Sequence, residues 1–256
     1  MIERIYELLK GGKAGLSALD ICRYFLSVVQ ITEPISERIV AGLLEGDARF
    51  SRVQGRWMVG ERTAILDRKL FSCTYVAVDV ETTGISPSEH RVTEIGAVKL
   101  EDGIVQGTFN YLVNPGRPIP GEITALTGIS QEMVQKAPHW AGVHPYFLDF
   151  LGSAVLIAHN ASFDLGFINS EMRLVGESPL GNLHLCTLKL ARRMDKKLAD
   201  HRLDTLASHY GVSVVDRHRA LGDAMAAGKI FLGMLERFRE LGFQTLRQVK
   251  ELEQGG

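Results

Sequence analysis

At 256 residues, with 45% hydrophobic and 23% charged side chains, the chain has the composition of a water-soluble globular protein, with room for one large domain or one medium and one small. A net charge of −1 excludes a basic surface over the whole chain, so any contact with nucleic acid must come from local patches. Cys22, Cys73 and Cys186 are far apart, odd in number and form no CxxC pair, which argues against a disulfide framework or a thiolate zinc site. The first turn is charged and no apolar run approaches the ~20 residues of a membrane span, so the expected setting is the cytoplasm, away from any membrane.

Residues 1–68 read as a small helical unit ending in a hairpin. Ile2, Ile5, Tyr6 and Leu9 follow the i, i+3, i+4, i+7 spacing of one buried helix face, and Gly11-Gly12 stops it. Ser17 caps a second helix that runs through Phe25. Thr32 and Pro34 open a third, with Ile35, Ile39, Val40 and Leu43 as its apolar stripe and Gly46 at its end. Phe50 to Val59 reads as two strands about Gln54-Gly55, with Phe50, Trp57 and Val59 as the bulky residues. Three helices and a hairpin resemble a winged helix. Its third helix carries Arg38 against Glu33, Glu37 and Glu45, a poor charge pattern for a DNA groove, whereas the hairpin carries Arg49, Arg52 and Arg56. DNA contact through this wing and a docking module with solvated arginines are both open, the second favoured.

Residues 61–73 are charged and little of them looks like core; 69–74 is read as the linker proper. From Tyr75 the pattern alternates strands and helices. Tyr75–Val80 is a nearly continuous apolar run of the kind buried on both faces of a sheet. Strands follow over Val92–Leu100 and Ile104–Val113, turning at Asp102-Gly103. Helices are expected over Glu122–Gln135 and Trp140–Leu151, a strand over Val155–Ala158, a helix over Phe163–Val175 and a short strand over Leu183–Cys186. Further helices cover Thr187–Met194, Leu203–Tyr210 and Gly222–Leu241, with a last one from Thr245 to Glu253 in the 242–256 tail. Residues 75–241 thus form an α/β domain, a mixed sheet with helices on its faces.

Three blocks carry the chemistry: Asp79-Val80-Glu81-Thr82-Thr83-Gly84, His159-Asn160-Ala161-Ser162-Phe163-Asp164, and His218-Arg219-Ala220-Leu221-Gly222-Asp223-Ala224. Asp79 and Glu81 are two apart at a strand exit, so both point to one face; alone, such a pair is more often a solvated strand end. Asp164 opens a helix at the carboxyl end of a buried strand, where open α/β sheets place ligands, although an aspartate there also complements the helix dipole. His218 and Asp223 are five apart and would diverge on one helix, so His218 belongs in a loop and Asp223 in the first helical turn. Four carboxylates form a hard oxygen site suited to Mg²⁺ or Mn²⁺, and a histidine beside them can take a proton near neutral pH.

Jointly and in this order, the blocks resemble the histidine branch of the DEDD superfamily of 3′–5′ exonucleases, whose members include the epsilon-type proofreading exonuclease of bacterial DNA polymerase III. The resemblance covers residues 72–240 and fills all five signature positions. Ile123-Thr124-Ala125-Leu126-Thr127-Gly128-Ile129 also resembles a family segment that lines the 3′-terminal nucleotide. The resemblance implies a ribonuclease-H-like fold and two divalent ions. Asp79 would bridge both, Glu81 and Asp223 would complete the site of the attacking water, and Asp164 would support the second ion. His218 would act as general base, and nucleoside 5′-monophosphates would leave from the 3′ end of DNA, single-stranded or frayed. Thr82, Thr83, Leu126, Asn160 and Phe163 are the candidate substrate contacts, Phe163 serving equally well as core. Lys189, Arg192, Arg193, Lys196, Lys197 and Arg202 form the densest basic stretch, a strand guide or a solvated helix face. A polymerase or repair protein is the implied partner. RNA trimming is the alternative within enzymes, and a catalytically silent binding module the alternative outside them. The extra N-terminal unit and short tail point to repair or processing as much as to replicative proofreading.

Overall fold

A computed structural model describes residues 2–10, 15–26, 31–44, 50–53, 55–60 and 65–255, which fall into two compact units, Met1–Arg68 and Lys69–Gly256. In the first, α1 (Ile2–Lys10) buries Ile5, Tyr6 and Leu9, the face its spacing marks. β1 (Leu16–Ser17) leads into α2 (Ala18–Leu26), where Ser17 Oγ accepts from the Asp20 amide and Asp20 Oδ2 accepts from the Ser17 amide, each at 3.1 Å. α3 (Glu33–Leu44) buries Ser36, Val40 and Leu44, with Ile39 and Leu43 beside them. Ile35, expected in that stripe, is 53% exposed. Ser36 takes its place because its hydroxyl donates to Glu33 O at 2.8 Å and so is satisfied inside.

β2 (Phe50–Val53) and β3 (Arg56–Val59) form the antiparallel hairpin, and β1 adds a third strand on β3, too short for alternation to reveal. Two hairpin arginines are engaged within the unit. Arg52 pairs with Glu37 at 2.7 Å, and Arg56 donates to Gly15 O at 3.2 and 2.8 Å. The stops at Gly11-Gly12 and Gly46, the turn residue Gln54, the third arginine Arg49, and the connector residues 61–64 lie outside the described residues.

In the second unit, Leu70 lies in a stretch whose composition argues against core, yet it is fully buried. Its amide donates to Gln244 O at 2.8 Å and Lys69 bridges to Thr245. Five strands follow: β4 (Tyr75–Thr82), β5 (Val92–Glu101), β6 (Ile104–Leu112), β7 (Val155–Ala158) and β8 (His184–Cys186), in the order β6-β5-β4-β7-β8. β4, β5 and β6 are antiparallel neighbours, whereas β7 pairs parallel with β4 and β8 parallel with β7. The helices are α4 (Gly121–Thr127), α5 (Gln131–Gln135), α6 (Trp140–Leu151), α7 (Ala161–Leu174), α8 (Thr187–Met194), α9 (Leu203–His209), α10 (Ala220–Glu240) and α11 (Leu246–Gln254). The single helix expected over Glu122–Gln135 is two, because Gly128 takes a left-handed φ of 71° and Ser130 caps a new start, its Oγ accepting from the Met133 amide at 3.3 Å.

One sheet face carries Val76, Val78, Val80, Ile95 and Ala97 beneath Trp140, Val143, Phe147 and Leu151 of α6 and Leu165, Phe167, Ile168 and Met172 of α7. Burying each large apolar side chain contributes about 1.5–3 kcal/mol. The long α10 packs on β4 and β5, with the Tyr75 and Phe231 rings 4.8 Å apart. At the β8 edge, Glu253 accepts from the Cys186 amide at 2.7 Å and Lys250 Nζ donates to His184 O at 2.8 Å, so α11 satisfies strand groups that would otherwise invite pairing. Among the described residues, no helix is long and apolar enough to cross a membrane.

Candidate active site

The period of two that sends Val76, Val78 and Val80 into the core sends Asp79 and Glu81 to the opposite face, at the carboxyl end of β4. Opposite them on β5 stand Gly96 and Glu94. Asp223, in the first turn of α10, completes the group: one carboxylate oxygen from each of Asp79, Glu81 and Asp223 lies within 4.8 Å of the others. Asp216 and His218 adopt left-handed φ values of 53° and 61°, which turn the chain back just before α10 begins. This backbone resolves the awkward five-residue spacing. His218 is in the loop and half-buried. Asp164 arrives on the first turn of α7, and its Oδ1 accepts from the Val80 amide at 3.2 Å.

The chain leaves these acids short of partners. Among the described residues, Asp164 Oδ2 and Asp223 Oδ1 are buried without a hydrogen bond. Burial first, then repulsion from Asp164, Glu81 and Asp223, pushes the Asp79 carboxyl well above the carboxylate range. Burial likewise raises Glu81 to about 7, helped by Asp223 and Glu94, and raises Asp164 to about 8 against the bonds from its own and the Val80 amide. Asp223 is raised by burial and held back by Arg217 and His218. Arg217 ion-pairs with Asp223 Oδ2, and its Nε donates to Asp204 at 2.9 Å. Buried and half-buried carboxylates that repel one another, with unbonded oxygens among them, fit a site for hard divalent cations.

The expected substrate residues divide. Leu126 is 54% exposed and Asn160 is exposed, its Oδ1 accepting from Ser162 Oγ at 3.2 Å. Phe163 is half-buried against Phe167, with ring centroids 4.9 Å apart. Thr82 and Thr83, expected to offer hydroxyls and backbone amides to substrate, are buried, and their hydroxyls are bonded internally. Thr82 Oγ1 donates to Gly84 O at 2.6 Å, and Thr83 Oγ1 accepts from the Arg91 amide at 3.1 Å, so both shape the loop after β4. Lys189, Arg192, Arg193, Lys196, Lys197 and Arg202 are exposed. Arg217, Arg219 and Glu94 are functional neighbours of the acids that the three blocks alone do not mark. The available signal was a glutamate inside the apolar run Val92–Leu100, which must have a partner.

A family model described as Exonuclease, RNase_T, matches residues 76–231. The chain is 40% identical over 195 residues to the PolC-type DNA polymerase III of Caldanaerobacter subterraneus subsp. tengcongensis, covering 76% of this chain and 14% of the polymerase. For the same enzyme of Clostridium perfringens, identity is 41% over 170 residues, 66% of this chain and 12% of the polymerase. The chain therefore spans a small fraction of the length of these relatives. Among solved structures, Exonuclease X in complex with 5′-overhanging duplex DNA aligns at a TM-score of 0.56 and 27% identity, over 70% of this chain and 99% of that one. The nuclease domain of 3′hExo, a DEDDh family member bound to rAMP, shares the fold at a TM-score of 0.57 and 20% identity, over 66% and 94% of the two chains. With the matched span, the mixed sheet and the acidic cluster in agreement, the chain belongs to the exonuclease family, in the histidine branch of the DEDD group of 3′–5′ exonucleases.

Proposed function

We propose that the chain removes nucleotides singly from the 3′ ends of DNA, single-stranded or frayed, and releases nucleoside 5′-monophosphates. The observation that carries this reading is the convergence of Asp79, Glu81 and Asp223 within 4.8 Å beside the His218 loop. Exonucleases of this family use divalent metal ions. Asp79, Glu81 and Asp223, with Asp164 in support, would hold two, Mg²⁺ or Mn²⁺, whose charge would compensate the attacking and leaving oxygens. His218 takes the proton of the attacking water as its oxygen bonds to the terminal phosphorus. The P–O3′ bond then breaks, the leaving O3′ takes a proton from solvent water to become the new 3′ hydroxyl, and the nucleotide departs. Leu126 and Phe163 offer apolar surface to the terminal base, and Asn160 a polar contact to its sugar or phosphate. The loop held by Thr82 and Thr83 supports this end of the strand.

DNA is favoured over RNA because the most similar relatives described above are DNA polymerases, and a polymerase or repair protein is the fitting partner. The N-terminal unit is best read as a winged-helix-like docking module, since Arg52 and Arg56 are engaged within it. The test is digestion of 5′-labelled DNA and RNA oligonucleotides, single-stranded, paired and mismatched at the 3′ end. A one-nucleotide ladder with Mg²⁺ or Mn²⁺ is expected, abolished by EDTA and in Asp79→Ala. Full activity in Asp79→Ala, or cleavage indifferent to EDTA, would overturn the reading.

A further inference from the structure

β5 carries none of the five signature residues, yet it meets two of the helices that do. Glu94, 1% exposed, accepts from Arg219 Nε at 3.0 Å, from Arg219 Nη2 at 2.6 Å and from the Ala220 amide at 3.0 Å. Two residues along, on the same face, Gly96 lets the first turn of α10 approach: a Cβ there would stand 2.2 Å from the Leu221 amide nitrogen and 2.3 Å from the Ala220 carbonyl carbon. The arrangement recurs at the start of the strand. Glu171 of α7, 2% exposed, accepts from Arg91 Nε and Nη2 at 2.8 and 2.7 Å and from the Val92 amide at 3.0 Å. In each case one buried glutamate receives an arginine fork and the amide of the next residue, a geometry that fixes direction as well as distance. α7 carries Asp164 and α10 carries Asp223.

We propose that Glu94 is a positioning residue of the nuclease centre: through Arg219 and the Ala220 amide it seats the first turn of α10 on β5, and so sets where His218 and Asp223 stand against Asp79 and Glu81. The register supports this directly, since Glu94 pairs with Glu81 and Gly96 with Asp79 across the two strands. Arg219 lies between His218 and Asp223 in sequence, so a shift of its guanidinium moves both. Glu94 itself has both oxygens occupied and takes no part in the chemistry.

The inference rests on the exonuclease reading, and loss of digestion in Asp79→Ala tests that reading separately. Arg219→Lys keeps the charge but cannot form the fork, and Arg219 is 36% exposed, so the variant should fold. Removing an outer partner of a metal centre weakens affinity or turnover by about 10–100-fold. Arg219→Lys and Glu94→Gln should each lower kcat by about 10-fold or more, with KM within about twofold. Both should weaken Mn²⁺ binding measured calorimetrically without DNA, and the double variant should lose no more than the worse single one. Arg237→Lys alters a similar ion pair with Asp195 about 18 residues beyond Arg219 along α10, ~27 Å away, and should leave kcat and Mn²⁺ affinity within about twofold. Folded Arg219→Lys with unchanged kcat and Mn²⁺ affinity, or losses that multiply in the double variant, would overturn the proposal.

Discussion

The surroundings of Asp195 and of Asp79 show two ways in which one unit buries acids. Asp195 is 7% exposed and well supplied: Arg237 ion-pairs with it, Tyr210 OH donates at 2.9 Å, and His209 Nε2 stands at 3.4 Å. Of the group at the other centre, Asp164 and Asp223 are as deeply buried and Asp79 and Glu81 half-buried, yet the four are left with mutual repulsion and, among the described residues, two unbonded oxygens. Burial of an acid therefore does not by itself mark chemistry. Burial without enough partners does, because the chain then holds a charge that something outside it must complete.

The contrast can be broken from either side. On the nuclease side, His218→Ala should slow turnover by ~10²–10⁴-fold while Mn²⁺ binding without DNA persists, since a general base serves the water and not the cations. Loss of Mn²⁺ binding together with turnover would make His218 a ligand instead. On the other side, Asp195→Asn should destabilise the fold by about 2–3 kcal/mol, below the figure for a fully buried pair because Arg237 reaches solvent. Its kcat per folded molecule should stay within about twofold. Chemical denaturation and single-turnover digestion separate the two effects, and a selective loss of kcat would place Asp195 in the centre.

The strands and most helices were legible because apolar periodicity responds to burial, and burial is what the sheet imposes. Leu70 and the two-residue β1 escaped, the first because its neighbours are charged and the second because two residues have no period. The split at Gly128 follows from a left-handed backbone that helix spacing does not report. The acidic blocks were legible through residue type and order, and the structure brings Asp79, Glu81 and Asp223 together as those blocks anticipate. The support was not. Arg217 and Arg219 look like solvated charges in sequence, since the partners that bury their charge, Asp223 and Glu94, lie in another turn or another strand. The internal bonds of the Thr82 and Thr83 hydroxyls were hidden for the same reason: their acceptor and donor come from a loop that folds back on them.

Raised carboxyls also make a prediction with a definite sign. Glu81 and Asp164, at about 7 and about 8 in the fold, hold protons that the unfolded chain has already released by about pH 4–5. The folded state binds more protons across that window, so these groups withdraw stability as pH rises through it and leave it undiminished below. The direct test of the centre is the melting temperature of the metal-free chain from pH 4 to pH 8, with and without Mg²⁺. A fall toward pH 8, largely reversed by Mg²⁺ and flattened in Asp164→Asn, is the expected result. A profile flat in pH and indifferent to Mg²⁺ would contradict the claim that these acids await cations.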